Sequence, residues 1–267
     1  MNLKMQDAFV EQFGQPLAIR EVDIPEPGPS QTLVKTEACG VCHTGLHAAE
    51  GDWSLKPGLR VAHISAERDA APLMCAGITS CKGIKETQAS PGEWMVISSV
   101  GGLGHLGVEY AKAMGLHVRA VDIDDVKLAH AKKLGSDALV NAKLGGPVAK
   151  VIRVTGGGTY GVPITAPSLP AFKQGVAITR KWGTRVLVGI APGEFPTPLF
   201  KVVANCITIR SSFNGSRRDM AEALALAADG RVKVDIKLQL LSAINSVLQR
   251  LKTGNAPSRV VLEFAGN

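Results

Sequence analysis

Aromatic residues are scarce in this sequence and make up only 4% of its 267 residues. Lysine and arginine outnumber aspartate and glutamate by 30 to 23, but the basic residues are spread along the chain instead of forming one block. Proteins that bind nucleic acids typically combine a concentrated basic patch with aromatic side chains that stack on bases. We therefore expect no nucleic-acid partner, and interpret the net charge as a mildly basic surface that attracts anionic ligands.

Long hydrophobic runs are also missing. No stretch approaches the roughly 20 apolar residues of a membrane-spanning helix. The N-terminal segment MNLKMQDAFVEQFG lacks the apolar core of a secretory signal. We therefore expect a cytoplasmic protein with no membrane partner. Hydrophobic residues nevertheless make up 45% of the chain, enough for the core of one large domain or two medium ones.

The chain has few cysteines, and their number is odd. The five cysteines are Cys39, Cys42, Cys75, Cys81 and Cys206. In a chain without a secretory signal, an odd count argues against a disulfide framework. Metal ligation and simple burial are the two alternatives that remain.

The most informative stretch is WMVISSVGGLGHLGVEYAKAMGLHVRAVDID, residues 94–124. It has the pattern of an apolar strand, a glycine turn, an amphipathic helix and a second strand that ends in an acid. Glycines let the backbone approach a pyrophosphate, the start of the helix supplies N–H donors, and the acid binds ribose hydroxyls. This order predicts a dinucleotide-binding βαβ unit.

One position in the glycine turn departs from the usual pattern, because Ser99 stands where the first glycine is expected. The cofactor-binding residues of the turn are predicted to be Gly101, Gly102, Leu103 and Gly104. Asp122 follows Gly104 by 18 residues and is the predicted ribose-binding acid. The serine adds a Cβ and a hydroxyl, so we expect weakened rather than abolished binding. An ordinary buried βαβ unit with a glycine-rich turn is the alternative.

Strand and helix patterns alternate over residues 94–213, and the strands are short and apolar. Such alternation predicts a parallel sheet with helices on both faces. Earlier in the chain, a hairpin around FGQP and a strand at TLVKTEA indicate a small β-rich module. We predict three regions: a β-rich module at 1–78, an α/β domain at 79–213, and a segment at 214–267 that returns to the first module.

Several segments resemble the zinc-dependent alcohol dehydrogenases of the medium-chain dehydrogenase/reductase superfamily, especially the bacterial ethanol-active type. They are PEPGPSQTLVKTEACGVCHTGLHAAEGDW, LMCAGITSCKGIK, GGLGHLGVEYAKAMGL, VDIDDVKLAHAKKLG and RVVLEF. The resemblance implies a Rossmann-type, doubly wound NAD-binding domain beside a shortened GroES-like catalytic domain. It also implies an enzyme that interconverts primary alcohols and aldehydes by hydride transfer between the small-molecule substrate and NAD at a zinc site.

The resemblance assigns roles to residues around the predicted zinc. Cys42 and Cys75 match two thiolate ligands of the family's catalytic zinc. His43 matches a residue near the cofactor pyrophosphate. Thr44 matches the hydroxyl that passes on the substrate's proton, and His47 matches the end of that relay.

Two further residues match cofactor-binding positions of the family. Asp122 matches the acid on the adenosine ribose, which favours NAD over NADP because a carboxylate repels a 2′-phosphate. Arg259 matches a late arginine near the pyrophosphate. Lys127, shortly after Asp122, is also predicted to bind the cofactor.

The sequence also departs from the family pattern. A long block is missing between Arg60 and Val61, and with it the GHE motif that supplies a histidine ligand and the four-cysteine lobe that holds a structural zinc. Gly45 replaces the aspartate that usually braces the metal. His63, His47 or Cys39 could complete a three-ligand site. His63 otherwise reads as a surface residue and Cys39 as a buried strand residue.

The missing block has consequences for activity and assembly. We expect an impaired zinc site, and we expect exposed sheet edges and apolar surface that favour a homo-oligomer. Two other functions remain open: a zinc-free quinone or enone reductase of the same superfamily, and a non-catalytic NAD-binding remnant. Cys81 and Cys206 are expected in the core.

Overall fold

The computed structural model describes residues 4–52, 56, 70–191, 193–255 and 259–264. These residues form two compact units. One consists of Met1–Met74 and Val234–Asn267, and the other of Cys75–Lys233. The predicted junction between Arg60 and Val61, and the candidate ligand His63, lie outside the described residues.

Strands and helices alternate through most of the described chain. The strands are β1 (Lys4–Phe9), β2 (Ala18–Asp23), β3 (Ala38–Gly40), β4 (Trp94–Ser98), β5 (His117–Asp122), β6 (Ala138–Asn141), β7 (Thr159–Ile164), β8 (Thr179–Leu187), β9 (Thr208–Ser211), β10 (Ile236–Leu240) and β11 (Arg259–Glu263). The helices are α1 (His43–Glu50), α2 (Ile78–Lys85), α3 (Gly104–Ala113), α4 (Asp125–Lys133), α5 (Pro147–Thr155), α6 (Leu169–Ile178), α7 (Leu199–Ala204), α8 (Arg217–Ala228) and α9 (Ile244–Lys252).

The larger unit is built on a six-stranded parallel sheet with strand order β6-β5-β4-β7-β8-β9. Strand β4, the first strand of this unit, lies in the middle of the sheet. The later strands are added outward on both sides of it, which is the doubly wound Rossmann order. The predicted fold class is confirmed.

Helices cover both faces of this sheet because neighbouring side chains of a strand point to opposite faces. Ile97 lies under α3, where a Cβ added at Gly107 would be 3.5 Å from its Cδ1. Val96 points to the other face and packs in a core with Val151 of α5 and Phe172 of α6. Because both faces of β4 are buried, its sequence is a nearly continuous apolar run.

Helix α8 belongs to the larger unit. It packs against α2, where Lys85 Nζ lies 2.6 Å from Asp219 Oδ1. The Tyr110 hydroxyl of α3 donates a hydrogen bond to the Ala223 carbonyl of α8 at 3.2 Å. The segment predicted as 214–267 is therefore divided between the two units.

The smaller unit contains an antiparallel pair, β1 with β2, and a sheet of order β10-β11-β3. Strand β11 pairs with β3, and side chains from both ends of the chain share one core: Ala8, Val10, Leu17, Cys39, Leu46, Val247, Leu248, Val260 and Leu262. The strand predicted at TLVKTEA is wrong except for its last residue, Ala38. Leu33 and Val34 are about half exposed, so this segment has no apolar face to bury.

The cysteines that were expected in the core differ in environment. Cys81 is fully buried, as predicted, and burial raises the pKa of its thiol to about 11, which keeps it unreactive at neutral pH. Cys206 is exposed in the turn after α7 with a φ of 50°, so its predicted burial is wrong. Within the described ranges, no helix is long and apolar enough to cross a membrane.

Candidate functional site

The turn between β4 and α3 has the backbone geometry of a phosphate-binding loop. Ser99 adopts a φ of 79°, in the left-handed region that favours glycine. A Cβ at Gly104 would lie only 1.8 Å from the Ser99 carbonyl oxygen, so glycine alone fits there. The strand end and the helix start are therefore in direct backbone contact, as a βαβ nucleotide unit requires.

The turn is held in place by side-chain hydroxyls. The Thr165 hydroxyl donates to the carbonyl oxygens of Ser98 and Ser99, at 2.9 and 3.0 Å. The Ser80 hydroxyl donates to the Leu103 carbonyl at 2.9 Å. Thr165 directly follows β7, the neighbour of β4 in the sheet. The site thus lies at the carboxyl ends of the two strands where the winding direction reverses, which is where open α/β sheets bind ligands.

Asp122 ends β5 beside this turn and is 6% exposed. One carboxylate oxygen, Oδ2, accepts the Val100 N–H at 2.6 Å and the Ser99 hydroxyl at 3.3 Å. The other, Oδ1, accepts the N–H groups of Ile123 at 2.7 Å and Asp124 at 3.1 Å. These four donors match the roughly four lone-pair sites of a carboxylate. A ribose hydroxyl must therefore displace one, and the Ser99 hydroxyl has the longest contact.

This geometry fits a dinucleotide. Helix α3 starts at this turn, and the N-terminus of a helix favours phosphate. The His105 N–H of its first turn already donates to the Gly101 carbonyl at 3.1 Å. Gly101, Gly102 and Leu103 are half-buried at this helix start, and Lys127 is half-buried in the first turn of α4, five residues after Asp122. The larger unit thus contains every predicted cofactor residue except His43 and Arg259.

The predicted relay residues lie on helix α1 of the smaller unit. Cys42 is the buried N-cap residue, whereas His43 and Thr44 in the first turn are exposed. Thr44 and His47 are three residues apart, a spacing that places two side chains on one helix face. The rings of His43 and His47 have centroids 6.2 Å apart.

Asp52 is a candidate functional residue that the sequence did not reveal. Its Oδ2 lies 2.6 Å from Nδ1 of His47, and the His47 side chain is 19% exposed. The available signal was the spacing of an acid five residues after a candidate relay histidine, with Gly51 between them to end the helix. That spacing has no meaning until the turn geometry is known.

The remaining predicted residues lie in separate elements. Cys75 is half-buried in a π-helical turn, Leu73–Gly77, which leads directly into α2. Arg259 is buried at the start of β11. No three His, Cys, Asp or Glu side chains in the described part of the chain form a group that could hold a metal ion. Because a catalytic zinc normally takes three protein ligands, the described residues do not build a complete zinc site.

Comparison with known proteins gives a consistent result. The family model for zinc-binding dehydrogenases matches residues 102–229. An alcohol dehydrogenase of Moraxella sp. strain TAE123 is 38% identical, and the alignment covers 97% of this chain and 99% of the relative. The alcohol dehydrogenase of the hyperthermophilic archaeon Aeropyrum pernix superposes with a TM-score of 0.87 at 26% identity, covering 97% of this chain and 100% of that one. An acetophenone reductase of Geotrichum candidum, solved with NAD, gives 0.82 at 20% identity over 97% of both chains.

The Moraxella alignment also shows that this chain is shorter than the aligned relative. It extends over 337 positions, whereas the chain has 267 residues, so at least 70 positions have no residue of this chain opposite them. That difference agrees with the block that the sequence predicts to be missing.

Proposed function

The chain belongs to the zinc-binding alcohol dehydrogenases, and on that basis we propose that it is an NAD-dependent oxidoreductase that interconverts primary alcohols and aldehydes. The family membership establishes an alcohol dehydrogenase-type oxidoreductase. The choice of NAD, the primary-alcohol substrate and the roles of individual residues are the proposal.

The observation that carries the proposal is the turn between β4 and α3, with Asp122 beside it. Gly104 lets the start of α3 approach the end of β4, as a βαβ nucleotide unit requires, and Asp122 supplies a carboxylate for the adenosine ribose. A carboxylate at that point disfavours a 2′-phosphate, so NAD is the preferred cofactor. Bound NAD would supply the hydride acceptor, and this chain's residues orient it.

The relay of the smaller unit is the second part of the proposal. Thr44 takes the proton of the substrate hydroxyl, and His47 passes it to solvent. The one-turn spacing of the two residues on α1 supports this assignment. His43 and Arg259 are proposed to bind the cofactor phosphates, since both carry cationic or hydrogen-bonding side chains.

We propose Cys42 and Cys75 as the thiolates that remain of the family's catalytic zinc site. The described residues offer no complete three-ligand group, and the sequence contains no GHE motif. We therefore expect zinc to bind weakly or substoichiometrically and turnover to be low for this family. The structural-zinc lobe is missing from the sequence altogether.

We also propose that the chain forms a homo-oligomer. Strand β9 is at the edge of the parallel sheet, with a backbone edge that can pair with another strand. Large apolar side chains flank it, including Phe200 in α7 at 88% exposed and Phe213 just after β9 at 83%. Exposed apolar surface next to a sheet edge favours pairing with a second copy.

Three measurements on the purified chain test the proposal: NAD affinity by calorimetry, zinc content by elemental analysis, and the rise of NADH absorbance with ethanol. The Gly104→Ala variant should lose NAD binding, because its Cβ collides with the backbone. The Cys42→Ala variant should lose zinc and turnover while it keeps NAD affinity.

The alternatives predict different results. NAD binding with neither zinc nor turnover would contradict the catalytic proposal and favour an NAD-binding remnant. Reduction of quinones or enones with NADPH, unchanged in Cys42→Ala, would favour a zinc-free reductase. Failure to bind NAD would contradict the proposal as a whole.

A further inference from the structure

We propose that Asp52 is a positioning residue that fixes the tautomer of His47. Its carboxylate holds the proton of the neutral imidazole on Nδ1, which leaves Nε2 with a lone pair to accept the relayed proton. This inference rests on the proposed relay and deepens it, since it names the group that prepares the final acceptor.

The backbone brings Asp52 back over the last turn of α1. Gly51 has a φ of 79°, a left-handed C-cap conformation that reverses the chain. The N–H groups of Gly51 and Asp52 both donate to the His47 carbonyl at 3.1 Å. A Cβ at Gly51 would come within 2.7 Å of Phe13 Cγ, so the turn is fixed by packing as well. The contact between acid and imidazole is thus a consequence of how the helix ends.

The chemistry of the contact between Asp52 and His47 determines which imidazole nitrogen carries the proton. An ionised carboxylate only accepts hydrogen bonds, so a contact of 2.6 Å between Asp52 Oδ2 and His47 Nδ1 requires the proton to be on Nδ1. In a neutral imidazole the other nitrogen is then the acceptor. When Nε2 takes a proton, the Nδ1 proton keeps its hydrogen bond to the Asp52 carboxylate.

The proton count of the relay balances with Asp52 ionised throughout. One proton moves from the Thr44 hydroxyl to Nε2 of His47, while the hydroxyl receives the substrate's proton. The imidazolium then releases a proton from Nε2 to water, and the Nδ1 proton stays on the hydrogen bond to Asp52. The acid therefore orients and supports the base without itself becoming protonated.

The other charged groups near His47 provide a control. His43 lies one turn earlier on α1, and Glu50 on the same helix pairs with Lys252 of α9 at 2.8 Å. Glu50 is an acidic residue at the same end of α1 as His47, but its carboxylate pairs with Lys252 and not with His47. The Glu50→Gln variant thus removes a nearby negative charge and leaves the Asp52 contact in place.

Nitrogen-15 NMR of the imidazole side chains tests the tautomer without any need for turnover. The His47 signals are assigned by their loss in His47→Gln, and spectra are recorded at alkaline pH, where imidazoles are neutral. The wild-type chain and Glu50→Gln should show a protonated Nδ1 and an unprotonated Nε2. In Asp52→Ala the Nε2-protonated form should become the major one. A wild-type His47 protonated on Nε2, or an Asp52→Ala spectrum identical to wild type, would overturn the proposal.

Steady-state kinetics gives the functional readout. Asp52→Ala should lower kcat for ethanol by at least about tenfold with little change in KM, because the relay base is misoriented while the binding site is intact. Asp52→Glu should recover part of the loss. If Asp52→Ala does not fold, Asp52→Asn replaces it in both experiments. An inactive wild-type chain would contradict the proposed function, and the NMR result would still decide the role of Asp52.

Discussion

Ser99 is the residue of the turn between β4 and α3 that most affects the proposed NAD binding. It has a left-handed backbone conformation that costs a non-glycine residue about 1 kcal/mol or more. Its hydroxyl also donates to Asp122 at 3.3 Å, the carboxylate that we propose binds the ribose. The serine therefore closes the turn, and under the proposed function it also competes with the cofactor for Asp122.

We predict that Ser99→Gly binds NAD more tightly, by about two- to tenfold, which corresponds to the roughly 0.5–1.5 kcal/mol of one hydrogen bond released for the ligand. Titration calorimetry on the two proteins measures the difference. The matched control is Ser30→Gly, another serine with a positive φ, at 64°, in the smaller unit. Equal or weaker NAD affinity in Ser99→Gly would show that the serine does not compete with the ribose.

Arg185 is an arginine in the middle of strand β8 with no exposed surface. Its Nη1 donates to the Phe172 carbonyl at 3.3 Å, and its guanidinium lies 4.7 Å from the centre of the Phe195 ring. Its Nε and Nη2 have no hydrogen-bond partner among the described residues. Burial lowers the pKa of the guanidinium to about 10. A buried cation with unmet donors destabilises the folded chain.

We predict that Arg185→Met raises the free energy of unfolding by about 1–3 kcal/mol, because methionine fills a similar volume without a charge to desolvate. Urea unfolding followed by fluorescence measures the change. Arg185→Lys keeps a buried cation and should give no gain. Destabilisation by the methionine would mean that the guanidinium contributes more than these contacts account for.

At the scale of elements, α2 and α8 are joined by a small group of ion pairs. Lys85 pairs with Asp219, whose side chain is 4% exposed, and with Glu222. Asp219 also accepts hydrogen bonds from the Ser216 N–H at 2.9 Å and hydroxyl at 2.7 Å, which completes a capping box at the start of α8. Burial alone would raise the pKa of Asp219, but the hydrogen bonds from Lys85 and Ser216 outweigh burial and hold that pKa well below its usual range.

We predict that Asp219→Asn lowers the free energy of unfolding at pH 7 by about 1–3 kcal/mol. Since the folded pKa is depressed, this stabilisation is complete above the unfolded value near 4 and is lost as the pH falls toward the folded value. The difference between wild type and variant should therefore shrink below about pH 4. Urea unfolding between pH 3 and 7 measures it. Asp229→Asn, at the exposed C-cap of the same helix, is the control and should change stability little.

The sequence predicts best those elements whose structure is determined by local residues, through burial or helix capping. Strand β4 is the apolar strand predicted before the glycine turn, and its sequence is apolar because side chains such as Met95 and Val96 are fully buried. Helix α4 starts where Asp124 accepts the Val126 N–H at 2.8 Å, and the chain turns at Gly135 with a φ of 98°. Local burial and capping are both visible in sequence.

Other features depend on contacts between distant residues and are not visible in this way. Strand β8 begins at Thr179, which pairs with Thr159 of β7, and regular pairing resumes only at Thr184 after an irregular stretch that contains Lys181 and Trp182. The pairing of Asp52 with His47 depends on one left-handed glycine. A metal site draws its ligands from several parts of the chain, so a sequence pattern supplies Cys42 and Cys75 without showing whether a third ligand joins them.

At the scale of the whole molecule, the larger unit has two different sheet edges. At one edge, β6 is followed by a 3₁₀ turn, Ala142–Leu144, and α4 packs against β6. At the other edge, β9 is flanked by the exposed side chains of Phe200 and Phe213. An edge strand beside exposed apolar groups is the usual site of strand pairing between copies.

We predict that the chain associates through the β9 edge, and that Phe200→Glu and Phe213→Glu each shift it toward the monomer, because a charge in an apolar interface must be desolvated. Light scattering coupled to size-exclusion chromatography measures the mass across a concentration series. Val126→Glu is the matched control, since Val126 is 78% exposed on α4, toward the opposite edge of the sheet. A wild-type monomer at all concentrations, or equal dissociation in Val126→Glu, would contradict pairing at β9, whereas selective dissociation places the contact at this edge.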